Sequence, residues 1–493
     1  RSVDIKHLPL EQLAEISMQH LRDYRTLERA SKSSLYRDRW RAAGINPEAV
    51  ETYEDFTKIP FTTGRELRSA INEGPLEKVL CSDAVLHWFS TTGTTGMSKW
   101  IPYGERDVEL FMEIREREHS LLPIPEGAKG FAISAPPPFA ENALTSFNMI
   151  HGMLTHTQVG GVTVSVTEVE QKDAFALLGA FALSMKPKVL AGLPSFATRL
   201  AEIIEEQAPA AAQREFSKKK SFRNLAAYLL TRVKKIQPKD LSRFKWGLFG
   251  GEPLDPYRDV LESVYGFEAY EIYNSTEFMP PAIECHVHDG MHLWIDLCLP
   301  EIIPQPELDK ESEDNAYSPR TIPLWKAEQG MRGEYVLTTF GEVLPLVRYR
   351  LADLIEVVST RPCRCGITHP RIKVLRKSDT TICLGAIRFP ASQLDEKLLA
   401  ETTYGRARRW QLKITTEGYR PKPIIGVEPY GNIGDKESFL KEISNRLHEL
   451  KILATAVENK LVAKPVIVLE ERISDEGRPV TKAGRVIYEG EKR

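Results

Sequence analysis

The spacing of apolar residues divides the chain into a helical start, an alternating middle and a distinct end. Between residues 9 and 48, apolar residues recur at helical intervals and predict an N-terminal helical cap. In the middle, short apolar runs predict strands, and segments with helical spacing lie between them. The predicted strands are Phe131–Ser134, Val162–Val166, Lys188–Ala191, Trp246–Phe249 and Glu268–Tyr273, and the predicted helices are Asp173–Met185, Phe196–Gln207 and Pro256–Tyr265. This alternation predicts an α/β fold with layered mixed or largely parallel sheets.

Two segments interrupt the alternation. Residues 207–224 are rich in Ala, Lys and Glu and contain Pro209, which predicts a solvated helix–loop–helix excursion. Its run Lys218-Lys219-Lys220 is interpreted as an exposed face. The stretch Pro300–Gly333 carries several prolines and acidic residues and predicts a loop that wraps the surface.

The pattern changes after about residue 376. Strand-like runs at Trp410–Thr415, Ile424–Val427 and Pro465–Glu470, with a helical pattern at Lys436–Leu450, predict a compact α+β unit. We therefore predict a large N-terminal domain over residues 1–376 and a small C-terminal α+β domain over residues 377–493.

Composition narrows the class of protein. Lys and Arg total 66 against 68 Asp and Glu, a net charge of −2, so no electrostatic footprint for nucleic acid is visible. The longest apolar run, Ala174–Met185, is far shorter than the ~20 residues that a membrane span needs, and no signal-peptide pattern is present. We expect a cytoplasmic enzyme without a nucleic-acid or membrane partner, and a homodimer stays among the open oligomeric states. The six scattered cysteines favour thiols or a metal site over disulfides.

The densest polar motif runs from Ser90 to Lys99. It contains Ser90, Thr91, Thr92, Gly93, Thr94, Thr95, Gly96 and Lys99. Glycines let backbone N–H groups turn towards an anion, hydroxyls add donors, and the lysine adds charge, so the motif predicts a phosphate-binding loop. Its spacing is not that of a Walker A loop. The alternative is a Thr/Gly hairpin turn.

Four further motifs carry candidate chemistry. Gly250 and Gly251 follow a predicted strand, where a flat ring could stack on bare backbone, although a tight β–α turn explains them equally well. Thr276 and Glu277 place a hydroxyl beside a carboxylate, as expected for a phosphate oxygen with Mg²⁺, or for a helix N-cap with a first-turn acid.

The other two motifs lie later in the chain. Asp353 could accept hydrogen bonds from ribose hydroxyls, or it could pair with Arg350 on the surface. Lys482 lies on a predicted loop near the end, where a solvated lysine is the alternative.

Taken in order, these motifs resemble the adenylate-forming acyl-CoA synthetase superfamily, and most closely its phenylacetate–CoA ligase branch. The resemblance covers nearly the whole chain and rests on Ile59–Thr63, Ser90–Lys99, Tyr273–Glu277, Tyr349–Asp353, Asp379 and Lys482. It implies a ligase that uses ATP and Mg²⁺ to adenylate a carboxylic acid, releases pyrophosphate and passes the acyl group to coenzyme A. An acceptor other than CoA (an amine, a hydroxyl or a carrier-protein thiol) and a non-catalytic nucleotide-binding scaffold are the alternatives.

The resemblance also implies a role for each site residue. Lys482, Thr276 and Glu277 are the expected catalytic residues, and Asp379 is the expected hinge of the small domain. ATP contacts are expected from the Ser90–Lys99 loop together with Gly250, Gly251, Glu252, Tyr273, Asn274, Ser275, Asp353, Lys377 and Asp379. The expected acyl pocket contains Phe139, Phe147, Asn148, His151, Pro194, Ser195 and Phe196, whose aromatic rings favour an aromatic acid.

Several positions depart from the usual pattern of this branch. Ser98 stands where a proline is common, Asn274 and Ala352 replace glycines, and Thr380 replaces an aspartate. None of these changes removes a charged catalytic group.

A cysteine motif suggests a structural zinc site. Cys363 and Cys365 form a C-x-C pair, and Cys285 is followed seven residues later by His292. Two such pairs could complete a tetrahedral Zn²⁺ site, and related ligases carry Cys and His at matching positions. His286, His288 and His369 are competing ligands, and free buried thiols are the alternative.

Overall fold

A computed structural model gives the structure of the protein. It describes residues 4–90, 99–125, 127–134, 161–165, 186–251, 253–255, 257–314, 316–377, 381–385, 387–399, 402–429, 433–473 and 484–488. The chain forms two compact units that interleave along the sequence. Described residues of the first unit are 4–127 and 270–377, and those of the second are 128–134, 161–269 and 381–488. The domain division after residue 376 stays a prediction.

The secondary structure of the described residues is mixed α/β, as predicted. The α-helices are α1 (Leu10–Asp23), α2 (Thr26–Ala30), α3 (Arg37–Ala42), α4 (Tyr53–Phe56), α5 (Gly64–Glu73), α6 (Leu76–Val79), α7 (Glu105–Leu121), α8 (Pro194–Lys218), α9 (Phe222–Val233), α10 (Pro238–Leu241), α11 (Arg258–Tyr265), α12 (Gln305–Glu313), α13 (Ala391–Leu398), α14 (Lys436–His448) and α15 (Lys451–Glu458). Short 3₁₀ turns cover Ile5–His7, Pro47–Ala49 and Leu324–Lys326.

The strands confirm the five predicted in the middle of the chain to within two residues. They are β1 (His87–Ser90), β2 (Trp100–Tyr103), β3 (Gly130–Ser134), β4 (Gly161–Ser165), β5 (Val189–Gly192), β6 (Trp246–Gly250), β7 (Glu268–Ser275), β8 (Phe278–Glu284), β9 (Met291–Leu293), β10 (Cys298–Pro304), β11 (Ile322–Pro323), β12 (Arg332–Thr339), β13 (Tyr349–Ser359), β14 (Arg371–Lys377), β15 (Thr381–Leu384), β16 (Ile387–Pro390), β17 (Ala407–Glu417), β18 (Arg420–Pro429), β19 (Val466–Leu469) and β20 (Gly484–Tyr488).

The first unit is built on antiparallel strands. Their order is β11-β10-β12-β13-β14-β9-β8-β7, and each neighbouring pair is antiparallel. Strand β13 alternates buried and half-buried residues along its whole length, the period-two pattern of a strand with one face on the core. The β7–β8 hairpin pairs Ser275 with Phe278, so Thr276 and Glu277 form its turn. They are therefore not a helix N-cap.

The prediction that Pro300–Gly333 forms a surface loop is wrong. This stretch contains most of β10, all of α12 and β11, and the start of β12. Leu299, Ile302 and Ile303 are fully buried in β10. Burial of this apolar run outweighs the turn preference of its prolines, which lie where the strand tolerates them.

A buried ion pair fixes the start of β13. The Arg348 guanidinium donates to both oxygens of Glu301, at 3.2 and 3.1 Å, and both side chains are buried. It also donates to the Ile59 carbonyl at 2.7 Å and to Thr321 Oγ1 at 2.8 Å. One side chain thus joins β10, β13 and the segment before α5.

Arg348→Met is expected to lower the free energy of unfolding of the first unit by about 3 kcal/mol or more, because Glu301 would stay buried without its counter-charge. The matched control is Arg332→Met, which removes the exposed partner of Glu356 on the same sheet and should cost less than about 1 kcal/mol. Chemical denaturation of both variants tests this. Equal costs would show that the buried pair contributes no more than the exposed one.

The second unit holds the parallel strands. Their order is β4-β3-β5-β6, with every neighbouring pair parallel. Its core includes Phe131, Leu190, Phe249, Leu261 and Tyr265. The Tyr265 hydroxyl donates to the Ala197 carbonyl at 2.7 Å and so ties α11 to α8.

Helix α8 is longer than the sequence predicts. It continues past Pro209 to Lys218, and the chain turns only at residues 219–221. Ser221 then caps α9 by accepting from the Asn224 N–H at 3.2 Å. The predicted helix Asp173–Met185 lies outside the described residues.

The C-terminal residues form their own small sheet, as predicted. Its order is β19-β18-β17-β20, in which β17–β18 is antiparallel and the two outer pairs are parallel. Helices α14 and α15 contribute Phe439, Ile443 and Leu453 to a core shared with Trp410. This arrangement confirms the small α+β part of the predicted fold class.

Candidate functional site

Two predicted phosphate-site residues meet in the first unit. The Lys99 ammonium, which follows the Ser/Thr/Gly motif, forms an ion pair with the Glu277 carboxylate in the β7–β8 turn. The Tyr349 hydroxyl lies between them, 2.8 Å from Lys99 Nζ and 3.1 Å from Glu277 Oε1. Ser275 Oγ donates to the other Glu277 oxygen at 2.6 Å. Three separate motifs therefore converge on one carboxylate.

Sequence reasoning missed Tyr349 as a functional residue, although it quoted the motif that contains it. Burial raises the pKa of Tyr349, and the adjacent Glu277 carboxylate raises it further. The phenol is therefore protonated at neutral pH and can donate to Glu277. Tyr349 follows Arg348 at the start of β13, and nothing in the local sequence indicates that its hydroxyl would contact Glu277.

The N-terminus of α5 lies beside this cluster. A Cβ atom on Gly64 would lie 3.2 Å from the Tyr349 hydroxyl and 3.4 Å from Lys99 Nζ. Thr63 and Glu66 form a capping box that fixes this first turn. A glycine at position 64 therefore lets the helix start approach the polar cluster closely.

A second pair of predicted residues also meets. The Tyr273 hydroxyl donates to Asp353 Oδ2 at 2.7 Å, and both residues are buried. Burial raises the pKa of Tyr273, with Asp353 adding to the shift, so the phenol stays a donor. Arg350 instead binds Glu311 and Glu334, which excludes the alternative of a surface Asp353–Arg350 pair.

Ala352, next to Asp353, has a backbone conformation that favours glycine. Its φ is 58°, in the left-handed region. The usual pattern of the branch that the motifs resemble has glycine at this position. The structure supplies the reason, because a side chain here is strained.

Ala352→Gly is expected to stabilise the first unit by up to about 1 kcal/mol, because glycine adopts this φ without steric cost. Part of the gain is offset by the larger entropy of the unfolded glycine chain. A thermal unfolding midpoint higher than wild type tests this. The control is Ala327→Gly, whose φ is −74° and which should destabilise. A lower midpoint for Ala352→Gly would contradict the strain argument.

Some of the residues predicted to contact the adenine and the acyl group are among the described residues, and these lie in the second unit. Gly250 ends β6, and Gly251 follows in a bend with φ of 85°, with Leu193 packed against it. Pro194 and Ser195 begin α8. Phe196 is buried in the core of this unit. The roles of these residues stay predictions.

Other predicted residues lie outside the described residues. They are Thr91, Thr92, Gly93, Thr94, Thr95, Gly96, Phe139, Phe147, Asn148, His151, Glu252, Asp379 and Lys482. For Ser90, Asn274, Ser195 and Lys377 the structure describes the backbone alone.

The predicted zinc ligands lie together in the first unit. Ligand atoms of Cys285, His292, Cys363 and Cys365 all lie within 4.8 Å of one another. Cys285 Sγ is 3.9 Å from Cys363 Sγ, and Cys365 Sγ is 3.4 Å from His292 Nε2. The three competing histidines are not part of this group. Cys285 directly follows β8, His292 lies in β9, and the C-x-C pair lies between β13 and β14.

The surroundings favour a thiolate at Cys365. Hydrogen bonds from the Cys285 thiol and from His292 hold the pKa of Cys365 well below its ordinary value. The same hydrogen bond to Cys365, together with burial, raises the pKa of Cys285. Arg371 Nη1 lies 3.7 Å from Cys363 Sγ. Among these cysteines, Cys365 is therefore the one whose surroundings stabilise the thiolate that a metal ligand needs.

The C-x-C loop also holds the start of the chain. His7 Nδ1 lies 2.8 Å from the Gly366 carbonyl oxygen, and Thr368 Oγ1 donates to the Leu8 carbonyl at 2.6 Å. The Thr368 N–H donates to the Lys6 carbonyl at 3.1 Å. The cluster therefore organises both the loop and the segment before α1.

Comparison with known proteins gives a consistent result. The chain is 26% identical over 376 residues to a phenylacetate–coenzyme A ligase of Pseudomonas putida, covering 74% of this chain and 71% of that ligase. It is 24% identical over 469 residues to a phenylacetate–coenzyme A ligase of Thermus thermophilus, covering 92% of this chain and 90% of that one. No family model matches the chain.

A solved structure shares the fold. The crystal structure of 2-hydroxyisobutyryl-CoA ligase in complex with 2-HIB-AMP and CoA superposes with a TM-score of 0.66 at 22% identity, covering 98% of this chain and 91% of that one. The chain is therefore similar in sequence to phenylacetate–coenzyme A ligases, the branch that its motifs resemble. It shares the fold of a solved CoA ligase.

Proposed function

We propose that the protein is an ATP-dependent ligase that adenylates a carboxylic acid, releases pyrophosphate and transfers the acyl group to coenzyme A. The observation that carries this proposal is the convergence of motifs on Glu277, which contacts Lys99, Tyr349 and Ser275. The relatives are phenylacetate–coenzyme A ligases, and the similar solved structure holds an acyl-AMP and CoA. We further infer that the acid is aromatic, which the names of these relatives support.

The residues of the site fit this chemistry. The substrate carboxylate attacks the α-phosphorus of ATP, the bond to the pyrophosphate oxygen breaks, and an acyl adenylate forms. The protein's work is alignment and charge neutralisation. Lys99 and Thr276 hold phosphate oxygens, Asp353 accepts from the ribose hydroxyls, and Lys482 bridges the carboxylate and the α-phosphate.

The Lys99–Glu277 pair suits a site that exchanges partners. Glu277 offers the carboxylate oxygen that Mg²⁺ prefers, with the Ser275 hydroxyl beside it. Bound Mg²⁺ supplies charge neutralisation of the phosphates. Nucleotide phosphates attract the Lys99 ammonium away from Glu277, so the ion pair keeps both charges compensated until ATP arrives.

A pyrophosphate-release assay across a panel of aromatic and aliphatic acids, run with and without CoA, tests the function. We expect release that depends on an aromatic acid, and an acyl-CoA product when CoA is present. Adenylation followed by transfer only to an amine, a hydroxyl or a carrier-protein thiol would assign the acceptor differently. ATP binding with no release for any acid would leave a nucleotide-binding scaffold.

We also propose that the Cys285–His292–Cys363–Cys365 cluster binds a structural Zn²⁺. Tetrahedral zinc with Zn–S near 2.3 Å and Zn–N near 2.1 Å places its ligand atoms about 3.6–3.8 Å apart. The 3.9 Å sulfur–sulfur and 3.4 Å sulfur–nitrogen separations fit this geometry. Four protein ligands leave no open position, so the metal would stabilise the loops and take no part in the reaction.

Cys365→Ser is expected to remove the bound zinc and to lower the free energy of unfolding of the first unit by about 3 kcal/mol, since loss of a structural metal removes part of the folding energy. Elemental analysis of the purified protein and its thermal unfolding with and without a chelator check this. Cys81→Ser, at a cysteine outside the cluster, is the control and should keep the metal. A wild-type metal content near zero would contradict the zinc proposal and leave the assignment of function intact.

A further inference from the structure

Helix α9 exposes an apolar stripe. Phe222 is 88% exposed, Val233 is 85% exposed, and Leu229 and Leu230 are about half exposed. These positions, with the exposed Ala226, follow the spacing i, i+4, i+7, i+8 and i+11, which places them on one face of the helix. Exposed large side chains aligned in this way mark an interaction surface more often than single ones do.

The opposite side of α9 packs on α8. Tyr228 stacks on Phe216 with ring centroids 6.0 Å apart, and Leu225 and Thr231 are half-buried. The helix is therefore anchored through one face, and the apolar stripe points away from the contact with α8. No helix within the described residues is both long and apolar enough to cross a membrane.

Basic residues surround the stripe. Residues 218–235 contain seven Lys and Arg and no Asp or Glu, whereas the whole chain has a net charge of −2. Lys218–Lys220 precede the stripe, and Lys234 and Lys235 follow it, all exposed. The neighbouring acids Glu215, Glu205 and Asp240 form only surface pairs with them, which are weak. Exposed basic residues therefore flank both ends of the apolar face.

We propose that α9 docks the protein onto a membrane surface that carries anionic phospholipids. The apolar side chains would enter the boundary between headgroups and acyl chains, while the lysines stay among the phosphates. A helix of 12 residues, about 18 Å long, can lie along the surface in this way. The sequence prediction of no membrane partner considered spanning segments, and this contact is peripheral.

The charge of the patch argues against a second copy of the chain as the occupant. Two copies packed stripe to stripe would bring together two clusters with no acidic residue between 218 and 235. Like charges at close range oppose such a contact. An anionic bilayer complements both the apolar and the basic parts of the surface. The proposal does not depend on the proposed ligase activity.

Vesicle co-sedimentation of the full-length chain tests the proposal. We expect binding to vesicles of phosphatidylcholine with phosphatidylserine, and little binding to phosphatidylcholine alone. Binding should weaken at least about tenfold as salt is raised from low to physiological ionic strength and above, because salt screens the basic residues.

The variants separate the two components of the surface. The double variant Phe222→Ser/Val233→Ser should bind at least about tenfold more weakly, because the membrane-inserted area is lost. Leu86→Ser, at a residue that is 63% exposed in the first unit, is the matched control and should bind like wild type.

A second set of variants tests the basic residues. Replacing Lys218, Lys219 and Lys220 by Gln should weaken binding about a hundredfold, since each lysine near the surface contributes about fivefold. The matched control replaces three exposed lysines of the C-terminal region, Lys436, Lys441 and Lys451, by Gln and should retain binding. Circular dichroism verifies that each variant is folded.

Four outcomes would overturn the proposal. Equal sedimentation with both vesicle types, or unchanged binding of the Phe222/Val233 variant, would exclude docking through this stripe. A dimer in sedimentation velocity that the same variant abolishes would assign the stripe to self-association. Binding to soluble polyglutamate without vesicle binding would assign the basic residues to an acidic protein partner.

Discussion

Lys482→Ala is expected to lower the rate of acyl-adenylate formation by about 10⁴-fold while thiolysis of a supplied acyl adenylate survives. A cation that bridges the attacking carboxylate and the α-phosphate compensates charge that builds up only in the transition state, and removal of such a cation costs about 10³–10⁵ in rate. Thiolysis forms no new bond to phosphorus and should not need this charge. Single-turnover assays of the two half-reactions measure the difference.

Lys464→Ala is the matched control for this experiment. Lys464 is an exposed lysine of the same C-terminal region and should be neutral in both half-reactions. Equal loss of adenylation and thiolysis in the Lys482 variant would contradict the assigned role, because it would indicate a folding defect or a general binding defect.

If Glu277 holds Mg²⁺ as proposed, Glu277→Gln is expected to lower adenylate formation by about 10²–10³-fold, because the amide keeps the shape of the carboxylate but loses its charge. The substitution also leaves the Lys99 ammonium without its ion-pair partner. Because the loss lies in metal binding, the concentration of Mg²⁺ needed for half-maximal rate should rise. A magnesium titration of pyrophosphate release measures both effects.

Glu356→Gln is the control for replacing a carboxylate by an amide. Glu356 lies in β13, the strand that carries Tyr349, and pairs with the exposed Arg332. Its substitution should leave rate and magnesium dependence unchanged. If Glu277→Gln lowered the rate without any shift in magnesium dependence, Glu277 would be a positioning residue for Lys99 and no metal ligand.

The regular part of the fold was predictable because local pattern and burial agree there. The predicted strand Trp246–Phe249, for example, is an apolar run that ends at paired glycines, and it forms β6. The strands and helix within Pro300–Gly333 were not predictable from the sequence. Its prolines favour turns locally, whereas burial of Ile302 and Ile303 in the folded protein stabilises a strand. The continuation of α8 through Pro209 was also not predictable from local preference. Proline disfavours a helix interior, but the turns on either side of it keep the helix formed.

The candidate site also has features that the sequence predicted and features that it did not. Motifs indicated which residue types act together, and the structure brings Glu277 to Lys99 and Asp353 to Tyr273 across 178 and 80 positions of sequence. The bridging role of Tyr349 was not predictable, because it depends on the approach of three separate segments. The cysteine motif predicted four residues that do lie together, but sequence alone could not choose His292 over the three competing histidines, because that choice depends on how β8, β9 and the C-x-C loop pack.

The interleaving of the two units sets an order of events during translation. Contacts such as that between His7 and Gly366 join residues 359 positions apart, so the earliest helices leave the ribosome long before their partners exist. Closing so large a loop is entropically costly and slow. Until residues near Gly366 have been synthesised, the segment around His7 lacks this partner, and the nascent chain is exposed to aggregation.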